Sequence, residues 1–484
     1  MVGRVPQRVQ PRPWLSWSIL MAVVVLLLSL IAYLLTLSPD LTWRFASSDG
    51  AELIAASYTF GVAHPPGYPT YVVLGRVFSW LPFGSVAWRY HLFSGVSAAL
   101  AAMFVALAAK HLISKQKVGP APTAAAAGAA GLIVAFTPLF WQQAVVAEVY
   151  TLNAAFVAAL VWALSKDGAR VEGRGLLLGL ACTTHLTSVS LAPLAIWRTP
   201  RSKLPRLVVG TLFGLTPYLL LPFFGSAGGH TVWGESTTVT GWWNTVSASI
   251  YQDNLFAASL MEMVHRLVDW HIPMLLLLST CLIWALQQGG LMEKAGSHKL
   301  SGAFLAVALL YFAVALGYNS HDAPVLVIAA LPLIVVASAP FLASIIPLGL
   351  ALPVLLLAIS VPQLAQSEAH DIRTRMSETL SEIENNALVI VGDEQTTFAM
   401  QYFQQVEKIR PDLTFVNDDL FQFNWYRRSL SERDSTLTAL EEDRLVHFVE
   451  SNGKRRPVCR LSLLWADGLH CRPALQTNVR ANND

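Results

Sequence analysis

Long apolar blocks recur along this chain, and no other feature limits its possible folds so strongly. The blocks run to roughly 15–24 residues, the length a helix needs to cross about 30 Å of hydrocarbon at about 1.5 Å per residue. Of 484 residues, 54% are apolar and 13% charged, whereas an ordinary soluble domain carries about 25% charged residues. Hydrocarbon offers backbone N–H and C=O groups no partner, so blocks of this length read as helices that satisfy their own hydrogen bonds. The balance of 33 basic against 31 acidic residues gives no reason to expect a nucleic-acid partner.

Hydropathy places about eleven spans, at roughly 14–37, 89–112, 121–141, 148–165, 174–184, 186–198, 204–224, 271–287, 301–318, 324–338 and 343–361. The first run, Trp14 to Leu37, exceeds the apolar region of a signal peptide and ends in Ser38-Pro39-Asp40 without a small-residue cleavage pattern, so it reads as a retained helix. Basic residues give the orientation, because cytoplasmic loops are enriched in Lys and Arg. With the N-terminus inside, the inner segments hold Arg4, Arg8, Arg12, Lys110, Lys115, Lys117, Lys166, Arg170, Arg174, Arg198, Arg201, Lys203, Arg206, Lys294 and Lys299. The outer loops before the tail hold Arg44, Arg76, Arg89 and Arg266. This alternation works only if 174–198 crosses twice, as a broken pair, and it puts the C-terminal tail outside.

Two outer loops are long. In the first, from about Ser38 to Trp88, Glu52–Phe60 and Tyr68–Leu81 read as helices lying in the membrane interface. The second, about Gly225–Trp270, carries Trp233, Trp242 and Trp243, which suit the headgroup zone. The expected division is a multi-span membrane domain over 1–365 and a soluble extracytoplasmic α/β domain over 366–484. Within the latter, Ala387–Val391 reads as a strand, Phe398–Ile409 as a helix and Leu413–Val416 as a second strand. No nucleotide-binding fingerprint is present. Cys182 and Cys281 fall in apolar blocks as core residues. Cys459 and Cys471 lie in the tail, where they either form one disulfide or remain free thiols.

The first outer loop carries the sharpest polar cluster. Asp49 and Glu52 are three residues apart and share a helix face; a carboxylate there can take a proton from an attacking hydroxyl. The same spacing is a capping box with Gly61 as the helix stop, and the two readings are compatible. His64 precedes Pro65-Pro66-Gly67-Tyr68-Pro69, a rigid segment that either positions the imidazole or makes a tight turn. Arg76 and Arg89 either clamp a lipid phosphate or snorkel to headgroups. Glu148, Tyr150, Asn153, His185, His321 and Asp322 fall at the same ends of their spans, and polar groups at such depth are usually paired or functional. The picture is a site that opens outward.

Asp49-Gly50-Ala51-Glu52-Leu53, Gly61 through Pro69 and Leu74-Gly75-Arg76 resemble the protein O-mannosyltransferase-like family of membrane proteins. The likeness continues through Ala147 to Asn153, Pro217 to Pro222, Trp233-Gly234, Gly392-Asp393 and Arg410-Pro411-Asp412. The resemblance implies a GT-C glycosyltransferase fold and transfer of a sugar, mannose being the family-level expectation, from a polyprenyl-phosphate donor to a protein or glycan hydroxyl. It implies Asp49 as the general base with Glu52 in support, although Gly50-Ala51 between the acids leaves the choice of base open. His64, Tyr68, Arg76, Arg89, Glu148, Tyr150, Asn153, His185, His321 and Asp322 are the expected substrate contacts. No cofactor or metal is required by this reading, and a bacterial inner or plasma membrane is its expected place. The competing readings are a glycolipid transporter or flippase without covalent chemistry, and a non-catalytic scaffold.

Overall fold

The computed structural model describes residues 17–116, 118–226, 232–288, 297–365, 372–464 and 468–474. Arg4, Arg8, Arg12, Lys117, Lys294 and the expected domain boundary at Gln366 lie outside the described residues. The apolar runs fold as expected into helices. Helix α1 (Trp17–Leu34) leads to a loop holding α2 (Gly50–Thr59) and α3 (Pro69–Ser79). Helix α4 (Val86–Ile113) is 28 residues long and is started by Ser85, whose Oγ accepts a hydrogen bond from the Trp88 N–H. Helices α5 (Pro120–Phe136) and α6 (Pro138–Ala144) meet at a 68° bend, at the point where Pro138 lacks the N–H that would continue the ladder.

Helices α7 (Tyr150–Ser165) and α8 (Val171–Thr184) follow, then a 3-10 turn into α9 (Ala192–Trp197). Helix α10 (Leu204–Leu215) continues through a second 3-10 turn into α11 (Leu221–Ser226). The second long loop contains α12 (Val239–Val246) and α13 (Leu260–Asp269), the latter opened by a capping box between Ser259 and Glu262. Helices α14 (His271–Gln288), α15 (His298–Gly317), α16 (Leu331–Leu342, preceded by a 3-10 segment from Ala323) and α17 (Ile346–Ala365) complete the bundle.

Among the described residues, six helical segments are long and apolar enough to cross a membrane, or seven if the bent α5–α6 pair is one span. Length and composition thus do not confirm the expected count of eleven. Residues 19–34 of α1, α7 and the 186–197 stretch are helical and apolar but shorter than a full crossing, and α8 carries Glu172 and Arg174 in 14 residues. The segment 323–342 is the most enclosed, with 89% of its apolar window buried, against 22% for α14 and α17. It therefore forms the middle of the bundle, while α14 and α17 present apolar faces outward. Alanines along α4, among them Ala98, Ala102, Ala106 and Ala109, are fully buried, which lets α1, α5 and α7 approach its backbone closely.

The tightest approach is between α8 and α10. A Cβ added at Gly179 would lie 2.4 Å from the Thr211 carbonyl oxygen, and one at Gly214 would lie 2.4 Å from that of Leu176. Gly175 and Gly210 are equally constrained, so each helix contributes a small-xxx-small pair to one seam. Gly179→Val is expected to destabilise the protein by about 1–3 kcal/mol or more, the usual range for overpacking. A thermal scan of the purified protein in detergent reads that loss, and an unchanged midpoint would mean that the seam is looser than the structure gives.

The tail forms a small α/β unit: α18 (Ile372–Glu382), β1 (Leu388–Val391), α19 (Glu394–Gln405), β2 (Thr414–Asn417), α20 (Asn424–Arg433), α21 (Leu445–Gly453), β3 (Val458–Leu461) and β4 (Leu469–Arg472). The sheet order is β2-β1-β3-β4, with β1 parallel to both neighbours and β3 antiparallel to β4. The strand–helix–strand unit read from the sequence is present. Its helix begins earlier, at Glu394, because the Asp393 carboxylate accepts from the Thr396 N–H and caps it there. Cys459 and Cys471 face each other across β3 and β4 and form a disulfide. This unit sits against the first loop: α19 packs on α2, and Arg373 bridges Asp40 and Glu407.

Candidate active site

Helix α2 does not lie on lipid as its sequence suggested, because every residue from Gly50 to Ser57 is buried in protein. Its first turn instead faces His64. Asp49 occupies the N-cap position but makes no capping hydrogen bond, and Phe60, not Gly61, adopts the left-handed conformation that ends the helix. The expected capping box is absent because Glu52 is engaged elsewhere. Its Oε1 accepts the His64 backbone N–H at 2.7 Å and its Oε2 pairs with His64 Nδ1 at 2.7 Å. The other ring nitrogen, Nε2, faces Asp49 Oδ2 at 3.7 Å and the Tyr68 hydroxyl at 3.2 Å.

The imidazole thus stands between two carboxylates of unequal character. The Glu52 side chain is fully buried, whereas Asp49 keeps 22% of its side chain accessible. Burial alone would push the His64 imidazole down, but the adjacent Glu52 and Asp49 charges outweigh it and raise it to about 10, so it is an imidazolium at neutral pH. Burial pushes the Asp49 carboxyl up to about 7; His64 opposes the rise, while Asp322, Glu52 and Glu394 add to it. The first loop therefore holds a group that is cationic at neutral pH and a carboxylate that changes state near neutrality.

A close backbone approach brings the second cluster alongside. A Cβ at Gly50 would meet the Ala147 carbonyl oxygen at 2.8 Å, so glycine there admits the 147–148 segment against α2. Glu148 is 2% exposed, and its Oε1 has no hydrogen-bond partner among the described residues. The Tyr150 hydroxyl donates to Asp322 Oδ2 at 2.6 Å, and Ser188 Oγ donates to Asn153 Oδ1 at 2.7 Å. The His185 ring lies 5.7 Å from Tyr150 and 6.4 Å from Tyr68. Tyr150, Asn153 and His185 line a small crevice with Thr187 and Val325. Tyr68 links this group to His64, so Asp49, Glu52, His64, Tyr68, Tyr150, Asn153, His185 and Asp322 form one connected polar region.

Three expected contacts lie apart from it. Arg89 directs its guanidinium to the carbonyls of Phe83, Ser79 and Gly84 and closes the turn before α4. Arg76 donates to the Tyr58 carbonyl and stacks on the Tyr58 and Phe60 rings, and His321 is exposed. Trp233, expected in the headgroup zone, is instead buried 6.2 Å from the His64 ring. It is held there by a parallel bridge in which the Trp233 N–H donates to the Val62 carbonyl. Tyr251 stands 6.3 Å from His64, and Phe398 of α19 stacks on it at 6.4 Å with a 15° interplanar angle. Trp233 stands out in the sequence both as an outer-loop aromatic and within the resembling Trp233-Gly234 pair, whereas Tyr251, Phe398 and Glu394 carry no local signal that joins them to His64.

Comparison with known proteins matches two stretches of the chain. Residues 49–203 match the family described as the protein O-mannosyl-transferase TMEM260 N-terminal domain, and residues 369–442 match TMEM260-associated domain 2. The protein O-mannosyl-transferase TMEM260 of Mus musculus is 31% identical over 250 residues, covering 47% of this chain and 34% of that protein. Its counterpart in Dictyostelium discoideum is 30% identical over 240 residues, covering 43% and 28%. The chain thus spans about a third of the length of the curated relatives it matches. ArnT from Cupriavidus metallidurans, solved bound to undecaprenyl phosphate, superposes with a TM-score of 0.52 at 10% identity, over 92% of both chains. That likeness is one of fold.

Proposed function

We propose that this chain, a relative of the protein O-mannosyltransferase-like membrane family with the GT-C fold, is a membrane glycosyltransferase that moves a sugar from a polyprenyl-phosphate donor to a hydroxyl acceptor. The observation that carries the reading is the asymmetry at His64. Glu52 is buried and committed to the imidazolium, while Asp49 is accessible and titrates near neutrality. Such a carboxylate suits a general base. Asp49 takes the proton of the acceptor hydroxyl as its oxygen attacks the anomeric carbon. The bond from that carbon to the phosphate oxygen breaks, and polyprenyl phosphate leaves.

His64 supports this step in two ways. Its Nε2–H side favours the Asp49 anion and opposes the rise that burial causes, and its charge favours a phosphate nearby. Tyr150, Asn153, His185 and Asp322 offer hydroxyl, amide, imidazole and carboxylate groups for a sugar. The relatives' names, together with the undecaprenyl phosphate bound in the fold neighbour, support mannose, a protein hydroxyl and a lipid-linked donor. The distribution of Lys and Arg supports a cytoplasmic N-terminus and a site on the outer face. The transporter reading lacks a feature of its own here, since the acids lie at loop ends and not at mid-bundle.

Purified protein in lipid nanodiscs, supplied with radiolabelled polyprenyl-phosphate mannose and a Ser/Thr-rich peptide, tests the proposal. Label is expected to pass to the peptide with release of polyprenyl phosphate. Movement of intact donor between leaflets without cleavage would replace it with the flippase reading.

A further inference from the structure

The tail could have been an accessory module, but its packing argues otherwise. Helix α19 lies against α2, and it turns one face toward the site. Phe398 is 3% exposed and presents its ring nearly parallel to the His64 imidazolium, while Trp233 stands 6.5 Å from Phe398 and 6.2 Å from His64, so the three rings form one cluster. Glu394 precedes Phe398 by four residues, one turn along the same helix face. A ring held parallel to the imidazolium gives that side of His64 a flat, apolar boundary.

The wall is also firmly carried. Asp393 caps the first turn of α19, the Leu463 N–H donates to Thr396 Oγ1 at 2.8 Å, and Asn417 Nδ2 donates to Thr397 Oγ1 at 2.9 Å. Residues 396 and 397 are thereby tied to the end of the sheet, and the position of Phe398 is set by the soluble domain. Leu or Ala at 398 would remove the one ring that lies nearly parallel to the imidazole, since Tyr68, Trp233 and Tyr251 meet it edge-on.

We propose that α19 of the C-terminal domain is a wall of the catalytic centre, with Phe398 as a positioning residue for the His64 imidazolium and Glu394, one turn before it on the same helix face, as the acidic group that this wall presents to the site. The inference rests on the catalytic reading of Asp49 and His64. The groups facing Asp49 are Glu52 and His64 from the first loop, Glu148 and Tyr150 at the start of α7, Asp322, Tyr68, Tyr251 and Glu394. Glu394 is the acid that the soluble domain contributes to that set, so its neutralisation is expected to stabilise the Asp49 anion.

Phe398→Leu, Phe398→Tyr and Glu394→Gln are compared in the nanodisc assay, with Glu442→Gln as a matched charge change on an exposed part of the same domain. Phe398→Leu is expected to lower kcat by about 10- to 100-fold, the scale of a misplaced reacting group, with KM for the donor little changed. Phe398→Tyr is expected to recover most of that loss. Glu394→Gln is expected to move the acid limb of the pH–rate profile to lower pH, and Glu442→Gln to leave it in place. Should Phe398→Leu fold poorly, Phe398→Met takes its place in the same comparison of kcat and KM. An active wild type with an unmoved limb in Glu394→Gln, or with full kcat in Phe398→Leu, overturns the inference. An inactive wild type overturns the transferase reading instead.

Discussion

Asp49→Asn is expected to lower sugar transfer by about 10²- to 10⁴-fold, the usual contribution of a positioned general base, in a protein that still folds and enters the membrane. Wild-type transfer should fall as the pH drops through about 7, because the working form of Asp49 is the anion and burial has raised its carboxyl to that value. The residual activity of the variant should lack this limb. Stability should respond in the opposite sense. A carboxyl raised above its ordinary 3.8 binds its proton more tightly when folded, so its favourable contribution is complete below 3.8 and gone above about 7. At pH 8 the ionised Asp49 is therefore a burden on the fold, and Asp49→Asn should melt no lower than wild type. An inactive protein of undiminished stability is what a functional acid predicts. Wild-type activity in Asp49→Asn, together with loss in Glu52→Gln, would transfer the role of base to Glu52.

The contrast between those two acids shows what could be read in advance and what could not. Their spacing, their place at the end of a span and the prolines after His64 marked the loop, because rare polar residues stand out in an apolar chain. Spacing could not tell a cap from a site: Asp49-x-x-Glu52 fits a capping box, and only the arrival of the His64 backbone N–H and Nδ1 takes Glu52 out of that arrangement. Arg76 and Arg89 were visible as outer-face cations, but the carbonyls that capture them belong to turns whose geometry hydropathy does not encode. Glu394 and Phe398 lie more than 300 residues from His64 in a segment of ordinary soluble composition. Their role follows from how two parts of the chain dock. The helices were legible for the same reason the loop was, since apolar length is a composition signal. Apolar length alone does not fix how many of them cross, because bends and short enclosed helices such as α7 depend on neighbours.

The second large effect concerns stability, and it tests whether Glu52 and His64 act as one unit. Removing either partner of a buried ion pair leaves the other uncompensated and costs about 3–5 kcal/mol. Glu52→Ala strands the His64 N–H groups, and His64→Ala strands a carboxylate whose side chain is fully buried. The double variant strands neither, so its loss should fall short of the sum of the two by about 0.5–3 kcal/mol, the range for residues in direct contact. The pH dependence gives a second reading of the same pair. The His64 value rises on folding from 6.5 to about 10, so its contribution is complete below 6.5 and fades as the pH climbs through about 10. Wild-type melting temperature should therefore decline across that window, and His64→Ala should flatten the decline. Unfolding measurements on the four proteins in detergent, at pH 6 and pH 9, check both statements. Additive losses with parallel pH curves would mean that the contact between Glu52 and His64 does not couple them, and the division of labour between a held acid and a free one would go with it.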